Sequence, residues 1–265
     1  MTVLGILPYL NVKPLIYPFE NGSLPKGWSL ISAPPAKLAE MLHDGRIAAA
    51  PISSFEVLGS DDLCAVPGIC IASHGPVKSV VVLSRVPFER ITKVALDSGS
   101  LSGAAMTKII LHEKFGIAPE YLPAEPNPSE MLRTADAVML IGNAALTFSP
   151  VGLRRIDIGE AWLELTGYPA VFALWAGKKD LLTPAIARHL LKARDEGLKK
   201  IELIVNTESE KLGIPRPLVR EYLSKNICYT FGESERASLE AFAELCRKHG
   251  LIPQNTGKVD FCNVG

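Results

Sequence analysis

The chain has 265 residues, 48% of them apolar and 21% charged, with 28 basic side chains against 28 acidic ones. A chain of this length buries roughly three quarters of its unfolded surface and suits one large or two smaller domains. The balanced charge argues against a nucleic-acid partner, which calls for a basic excess, and no apolar run is long enough to cross a bilayer. The N-terminus carries no basic stretch, long apolar stretch or small-residue cleavage site, so the expected location is the cytoplasm. Five scattered cysteines, Cys64, Cys70, Cys228, Cys246 and Cys262, form no CxxC. They read as reduced structural thiols, with neither a metal site nor a disulfide framework.

The first element is a short apolar strand, Leu4 to Leu7, which runs into Pro8-Tyr9-Leu10 and a single amide, Asn11. A helix ending in Glu40-Met41-Leu42 follows, then a strand-like segment from Ile47 to Ile52 that meets Ser53 and Ser54. Val80 to Leu83 is apolar throughout and is entered through "HGPVKS", with Ser79 at the strand start. Val94 to Leu96 leads into the loop Asp97-Ser98-Gly99-Ser100-Leu101-Ser102-Gly103. A helix from Ala104 to Phe115 comes next, with Gly116 as its expected C-cap. Ala137 to Ile141 is apolar enough for the inside of a parallel sheet and ends at Gly142-Asn143. Beyond about Phe172 to Ala176 the chain turns helical. Thr183-Pro184 opens one helix, which runs towards Lys200 with a weak point at Gly197, and the last helix spans about Ser234 to His249.

A shift of ninety positions lays the chain on itself. Glu40-Met41-Leu42 falls on Glu130-Met131-Leu132, Leu4-Gly5-Ile6 on Val94-Ala95-Leu96, Ser53 on Asn143, and Asn11 beside Ser100 and Ser102. A repeat of domain size implies two similar α/β lobes rather than a solenoid. The expected division is residues 1–83 with 176–265 as lobe one, and 84–175 as an inserted lobe two, with crossings near 80–85 and 172–177.

Ligands of open α/β sheets sit beyond the carboxyl ends of the strands. The repeat gathers those tips: Asn11, Ser53, Ser54, Ser79, Ser98, Ser100, Ser102, Gly142 and Asn143. Asn11 is then a strand-tip amide aimed into a cleft between lobes. The set is rich in hydroxyls, amides and backbone N–H groups, and the loop before the second-lobe helix suits a carboxylate or phosphate. Good acid–base groups are scarce. Of the five histidines only His74 falls in a loop near the expected cleft. Asp61-Asp62 reads as a solvated loop, and Trp162 and Trp175 read as core.

Six blocks, "PYLNVKPLIY", "APISSFEVL", "GPVKSVVVLS", "VALDSGSLSG", "ADAVMLIGNAAL" and "IDIGEAWLELTGYPAVFALWAGKKD", occur in order over residues 5 to 180. Together they resemble the chorismate dehydratase family of the futalosine route to menaquinone. The resemblance implies a type II periplasmic-binding-protein fold, and a hydro-lyase that dehydrates chorismate, a small dicarboxylate, to 3-[(1-carboxyvinyl)oxy]benzoate without metal or organic cofactor. It implies that Asn11 and Ser79 are the active-site amide and hydroxyl, and that Ser100 and Ser102 belong to the anion loop. Gly103 stands where the family usually has a hydroxyl residue, Asn143 where it usually has Asp, and His74 where an acidic or small residue is common. The loss of that Asp removes one carboxylate base and leaves the substrate's own enolpyruvyl carboxylate as the expected base, with His74 as the rival. The sister dihydroxynaphthoate synthases open with Cys-Pro-Asn-Asp, which Ile6 to Asn11 lacks. A solute-binding protein or ligand sensor of the same fold is the remaining alternative.

Overall fold

Strands form here wherever an apolar run can be covered on both faces, and helices wherever apolar residues recur on one side. The computed structural model describes residues 1–264. In chain order the elements begin with β1 (Thr2–Ile6), α1 (Lys13–Pro18), β2 (Trp28–Ser32), α2 (Pro35–His43), β3 (Ala50–Ser53), α3 (Ser54–Leu58) and β4 (Leu63–Ser73). The middle holds β5 (Val80–Ser84), β6 (Lys93–Asp97), α4 (Leu101–Phe115), β7 (Glu120–Ala124), α5 (Pro128–Thr134), β8 (Ala137–Ile141), α6 (Gly142–Thr147), β9 (Arg154–Asp157) and α7 (Ile158–Thr166). The rest is β10 (Ala170–Lys178), α8 (Pro184–Leu198), α9 (Ile201–Leu212), α10 (Arg216–Glu221), β11 (Cys228–Thr230) and α11 (Glu233–Lys248).

The strands form two sheets of matching order. In the first, β1 pairs with β2 in parallel, and β3-β10-β4-β11 follow as antiparallel neighbours. Gly5 N–H to Ala49 O at 2.9 Å and Ala48 N–H to Val3 O at 2.8 Å join the two parts. The second sheet runs β7-β6-β8-β5-β9, with β5 antiparallel to both neighbours. The sequence β2-β1-β3-β10-β4 thus recurs as β7-β6-β8-β5-β9. The ninety-residue offset carries β1 onto β6, β2 onto β7, β3 onto β8 and β4 onto β9. Each sheet takes its one exchanged antiparallel strand, β10 or β5, from just beyond a crossing.

The crossings lie earlier than the sequence places them. Val80–Ser84 pairs along its length with β8 and β9, so it belongs wholly to the second sheet, although residues up to 83 were expected in lobe one. Ala170–Lys178 pairs with β3 and β4, so the return is complete before residue 170 rather than near 172–177. All five residues of β5 are buried. A strand buried on both faces has no alternation to say which sheet it serves.

The C-terminal helices bind the sheets together. Thr183 caps α8, its Oγ1 accepting from Ile186 N–H at 3.4 Å, with Pro184 in the first turn. Trp162 on α7 is fully buried, stands edge-on to Phe242 of α11 with ring centroids 5.3 Å apart, and donates to Ser238 Oγ at 3.4 Å. Trp175 is buried in β10, so both tryptophans are core. No helix among the described residues is long and apolar enough to cross a membrane.

Candidate active site

Where the strand tips of the two sheets face each other, a cavity encloses about 610 Å³ of atom-free space, including its open mouth. Asn11, Ser53, Ser79, Ser100 and Gly142 all lie on its wall, between the apolar side chains of Leu7, Ile52, Val77 and Phe172. Four other residues of the expected set are elsewhere. Ser54 and Ser102 are fully buried in the contact between lobes. Ser98 lines an adjoining hollow with His43 and Glu56. Asn143 points its Oδ1 at the Leu10 N–H, 3.4 Å away.

Ser79 is held by an unusual loop. Lys78 has φ of +62°, alone among the described non-glycine residues in having positive φ. Such a conformation persists only when its surroundings over-determine it. Here Asp157 accepts from Val77 N–H at 2.8 Å and Lys78 N–H at 2.7 Å, while it also caps α7 through Gly159 N–H at 3.1 Å. Lys78 Nζ reaches Glu221 at 2.8 Å, and Asn226 Nδ2 donates to Pro76 O at 2.9 Å. The loop therefore fixes where Ser79 enters β5.

Tyr222, which sequence reasoning missed, lies behind Ser79. Its hydroxyl is fully buried and donates to Ser79 Oγ at 2.7 Å. Burial pushes the Tyr222 phenol well above its ordinary pKa, and hydrogen bonding with Ser79 and Asn11 opposes that rise. A neutral Tyr222 that donates to Ser79 leaves the Ser79 proton free to point at the cavity. Asn11 sits in the single turn Leu10–Val12, and its Oδ1 is buried without a hydrogen-bond partner.

The hydroxyls of the lobe contact have a self-consistent order. Ser54 Oγ donates to Val171 O at 2.6 Å, so its proton is taken and it accepts from Ser102, 2.9 Å away. Ser102 Oγ then accepts from Ser53 at 2.6 Å and from Phe55 N–H at 3.1 Å. Ser53 has thus given its proton to Ser102 and offers the cavity only lone pairs. Ser100 Oγ accepts from Gly103 N–H at 3.0 Å as the cap of α4, which leaves its own proton available. A side chain at Gly103 would put its Cβ 2.9 Å from Ser100 Oγ, so the missing side chain there suits the cap. The wall thus presents the Ser79 and Ser100 hydroxyls and the positive end of the α4 dipole, donors of the kind that suit an anion.

No charged side chain of the described residues lies on the cavity wall. Among the lining residues only Tyr9 titrates, and burial, then Asp97, push its phenol upward. Asp97 is buried behind the loop; burial raises its pKa while Gly99 N–H at 2.9 Å and Ile141 N–H at 3.4 Å hold it down. His74 stands outside the cavity, its Nε2 2.6 Å from Glu235.

Two lobes of matching α/β topology with a cavity at their facing strand tips define the periplasmic-binding-protein fold. Solved structures share it: a protein from Archaeoglobus fulgidus superposes with a TM-score of 0.74 at 17% identity, over 94% of this chain and 98% of that one. The periplasmic aliphatic sulphonate binding protein SsuA from Escherichia coli does so with a TM-score of 0.69 at 15% identity, over 97% and 94%. Residues 2–248 match the menaquinone biosynthesis family, and the chain belongs to it. A curated relative, the chorismate dehydratase of Thermus thermophilus, is 30% identical over 261 residues, which span 91% of this chain and 94% of the relative.

Proposed function

We propose that the protein is a cytoplasmic hydro-lyase that converts chorismate into 3-[(1-carboxyvinyl)oxy]benzoate. The observation that carries the mechanism is the cavity wall, which lacks His, Lys, Arg, Cys, Asp and Glu among its lining residues. An elimination still needs a base, and chorismate brings one. In this reading its enolpyruvyl carboxylate takes the hydrogen of the ring carbon that bears the enolpyruvyl ether, which a ring double bond conjugates with the ring carboxylate. The electron pair of that C–H bond becomes ring π density, the C–O bond to the neighbouring allylic hydroxyl breaks, and the departing hydroxide takes the proton now held by the enolpyruvyl carboxyl group, which leaves water and restores the carboxylate. Aromatisation drives the step, so the protein need only orient the substrate and stabilise the developing charge. Ser79 and Ser100 donate to carboxylate or leaving-hydroxyl oxygen, Asn11 offers its amide N–H beside Ser79 to the same oxygens, and the apolar wall excludes water.

The direct test is to incubate the purified protein with chorismate and follow the aromatic product. Chorismate recovered unchanged would favour a solute-binding role on the same fold. The same assay separates the two candidate bases. His74→Ala is expected to keep turnover within about threefold of the parent, since the side chain lies outside the cavity and such exposed substitutions usually change little. A loss of orders of magnitude with the fold intact would make His74 the base.

Tyr222 tests the donor arrangement. Tyr222→Phe deletes one buried hydroxyl and preserves the ring. Ser79 then loses its donor, and its proton turns away from the substrate for part of the time. The expected loss is roughly tenfold in turnover, the equivalent of one hydrogen bond. In a Ser79→Ala background the same change is expected to add less than that, because only the Tyr222 hydrogen bond with Asn11 is then left to lose. Additive losses in that double variant would place Tyr222 on a separate path.

A further inference from the structure

Away from the cavity, three side chains of metal-binding type converge from separate elements. His74 directly follows β4, Cys228 begins β11, and Glu235 lies in the first turn of α11. One ligand atom from each falls within 4.8 Å of the others. His74 Nε2 and Glu235 Oε1 are 2.6 Å apart. The Glu235 side chain is only 5% exposed, whereas that of His74 is 53% exposed, so the group is anchored on one side and open to solvent on the other. Glu235 Oε2 is already engaged, accepting the Gly232 N–H at 2.8 Å. That bond fixes the carboxylate and turns Oε1 towards the histidine and the thiol, as outer hydrogen bonds do for metal ligands.

We propose that His74, Cys228 and Glu235 form a binding site for a single Zn²⁺ ion, with its fourth position open to solvent. Imidazole nitrogen, thiolate sulfur and carboxylate oxygen are all zinc ligands, and three protein ligands with one open position is a common zinc arrangement. Tetrahedral ligands lie roughly 3.3–3.8 Å apart at ordinary zinc bond lengths. The exposed His74 ring moves outward by less than about 1 Å to admit the ion, a shift that exposed side chains make readily. Binding replaces the His74–Glu235 hydrogen bond and releases the thiol proton of Cys228 to solvent.

The second such group, His112, Glu113 and His249, is less suited because Lys248 Nζ sits 2.7 Å from the Glu113 oxygen that His249 also uses. The proposed ion has a structural role that is independent of the proposed reaction. It would tie the start of the first crossing, residues 74–79, to β11 and α11 on the first lobe.

Cobalt(II) is the probe, since a cobalt–thiolate bond absorbs in the near ultraviolet and zinc does not. Titration of the reduced protein with Co²⁺ is expected to give one equivalent of a thiolate charge-transfer band, which Zn²⁺ then removes by displacement. Cys228→Ser is expected to abolish the band. His74→Ala, at an exposed position, is expected to weaken binding by at least about tenfold and leaves the thiolate in place. Cys262→Ser and His249→Ala are expected to change nothing. Thermal unfolding of the metal-free variants confirms that each is folded. No saturable band below about 100 μM Co²⁺, or a band that survives Cys228→Ser and disappears in Cys262→Ser, would overturn the assignment.

Discussion

An Asn11→Ala variant is expected to fold as the parent does and to lose about a hundredfold or more in turnover on chorismate. Its side chain has little packing role to lose. It lies in a single turn after β1, half-buried on the cavity wall, with Oδ1 unpartnered. Removing the amide gives up only its hydrogen bond with Tyr222, worth about 0.5–1.5 kcal/mol, so the melting temperature should stay within a few degrees. In the complex, by contrast, a preorganised polar partner at a reacting oxygen is worth on the order of a hundredfold or more in rate. Steady-state rates and thermal unfolding on the same preparation separate the two effects. Near-normal turnover would remove Asn11 from the chemistry, and a collapse of the melting temperature would make its role structural.

The second large effect is on stability. Gly197→Ala is expected to destabilise the fold by about 3 kcal/mol or more, at the upper end of overpacking costs, and to lower the melting temperature by roughly 6–12 °C. A Cβ at position 197 would stand 1.7 Å from the carbonyl oxygen of Pro14 and 2.8 Å from its carbon. These are backbone atoms of α1, so no side chain can rotate out of the way. Helix α8 would have to lift off α1, and α1 directly follows the turn that carries Asn11. The variant should therefore also show a raised KM for chorismate. An unchanged melting temperature would mean that the two helices are not in this close contact.

Gly197 illustrates how local reading and packing diverge. In the sequence it marks a weak point, because glycine lowers helix propensity. In the fold the same absence of a side chain lets two helices touch at the backbone. The sheet order was more legible, because the ninety-residue repeat preserved the sequence strand, tip, helix, strand and tip in both halves. The crossings were less so, since β5 is apolar on every position and carries no label for its sheet. Among the serines, composition could gather Ser53, Ser54, Ser100 and Ser102 but not sort them. Ser100 caps α4 at the cavity while Ser102, two residues later, faces the opposite lobe. That difference is set by helix rotation and lobe contact. Tyr222 had no local signal, because its partner Ser79 is 143 residues away and the segment around it reads as an ordinary helical tail.

The Ser102 hydroxyl has a consequence for traffic through the cleft. It bridges to Ser53, Ser54 and the Phe55 amide at once. Three such bonds, at about 0.5–1.5 kcal/mol each, bias the resting protein towards its shut form by roughly tenfold to a thousandfold. Any wider parting of the lobes has to break all three of these bonds. A latch made of one residue thus trades speed of exchange for dryness during the reaction, and a change at position 102 would at the same time free the proton of Ser53 on the cavity wall.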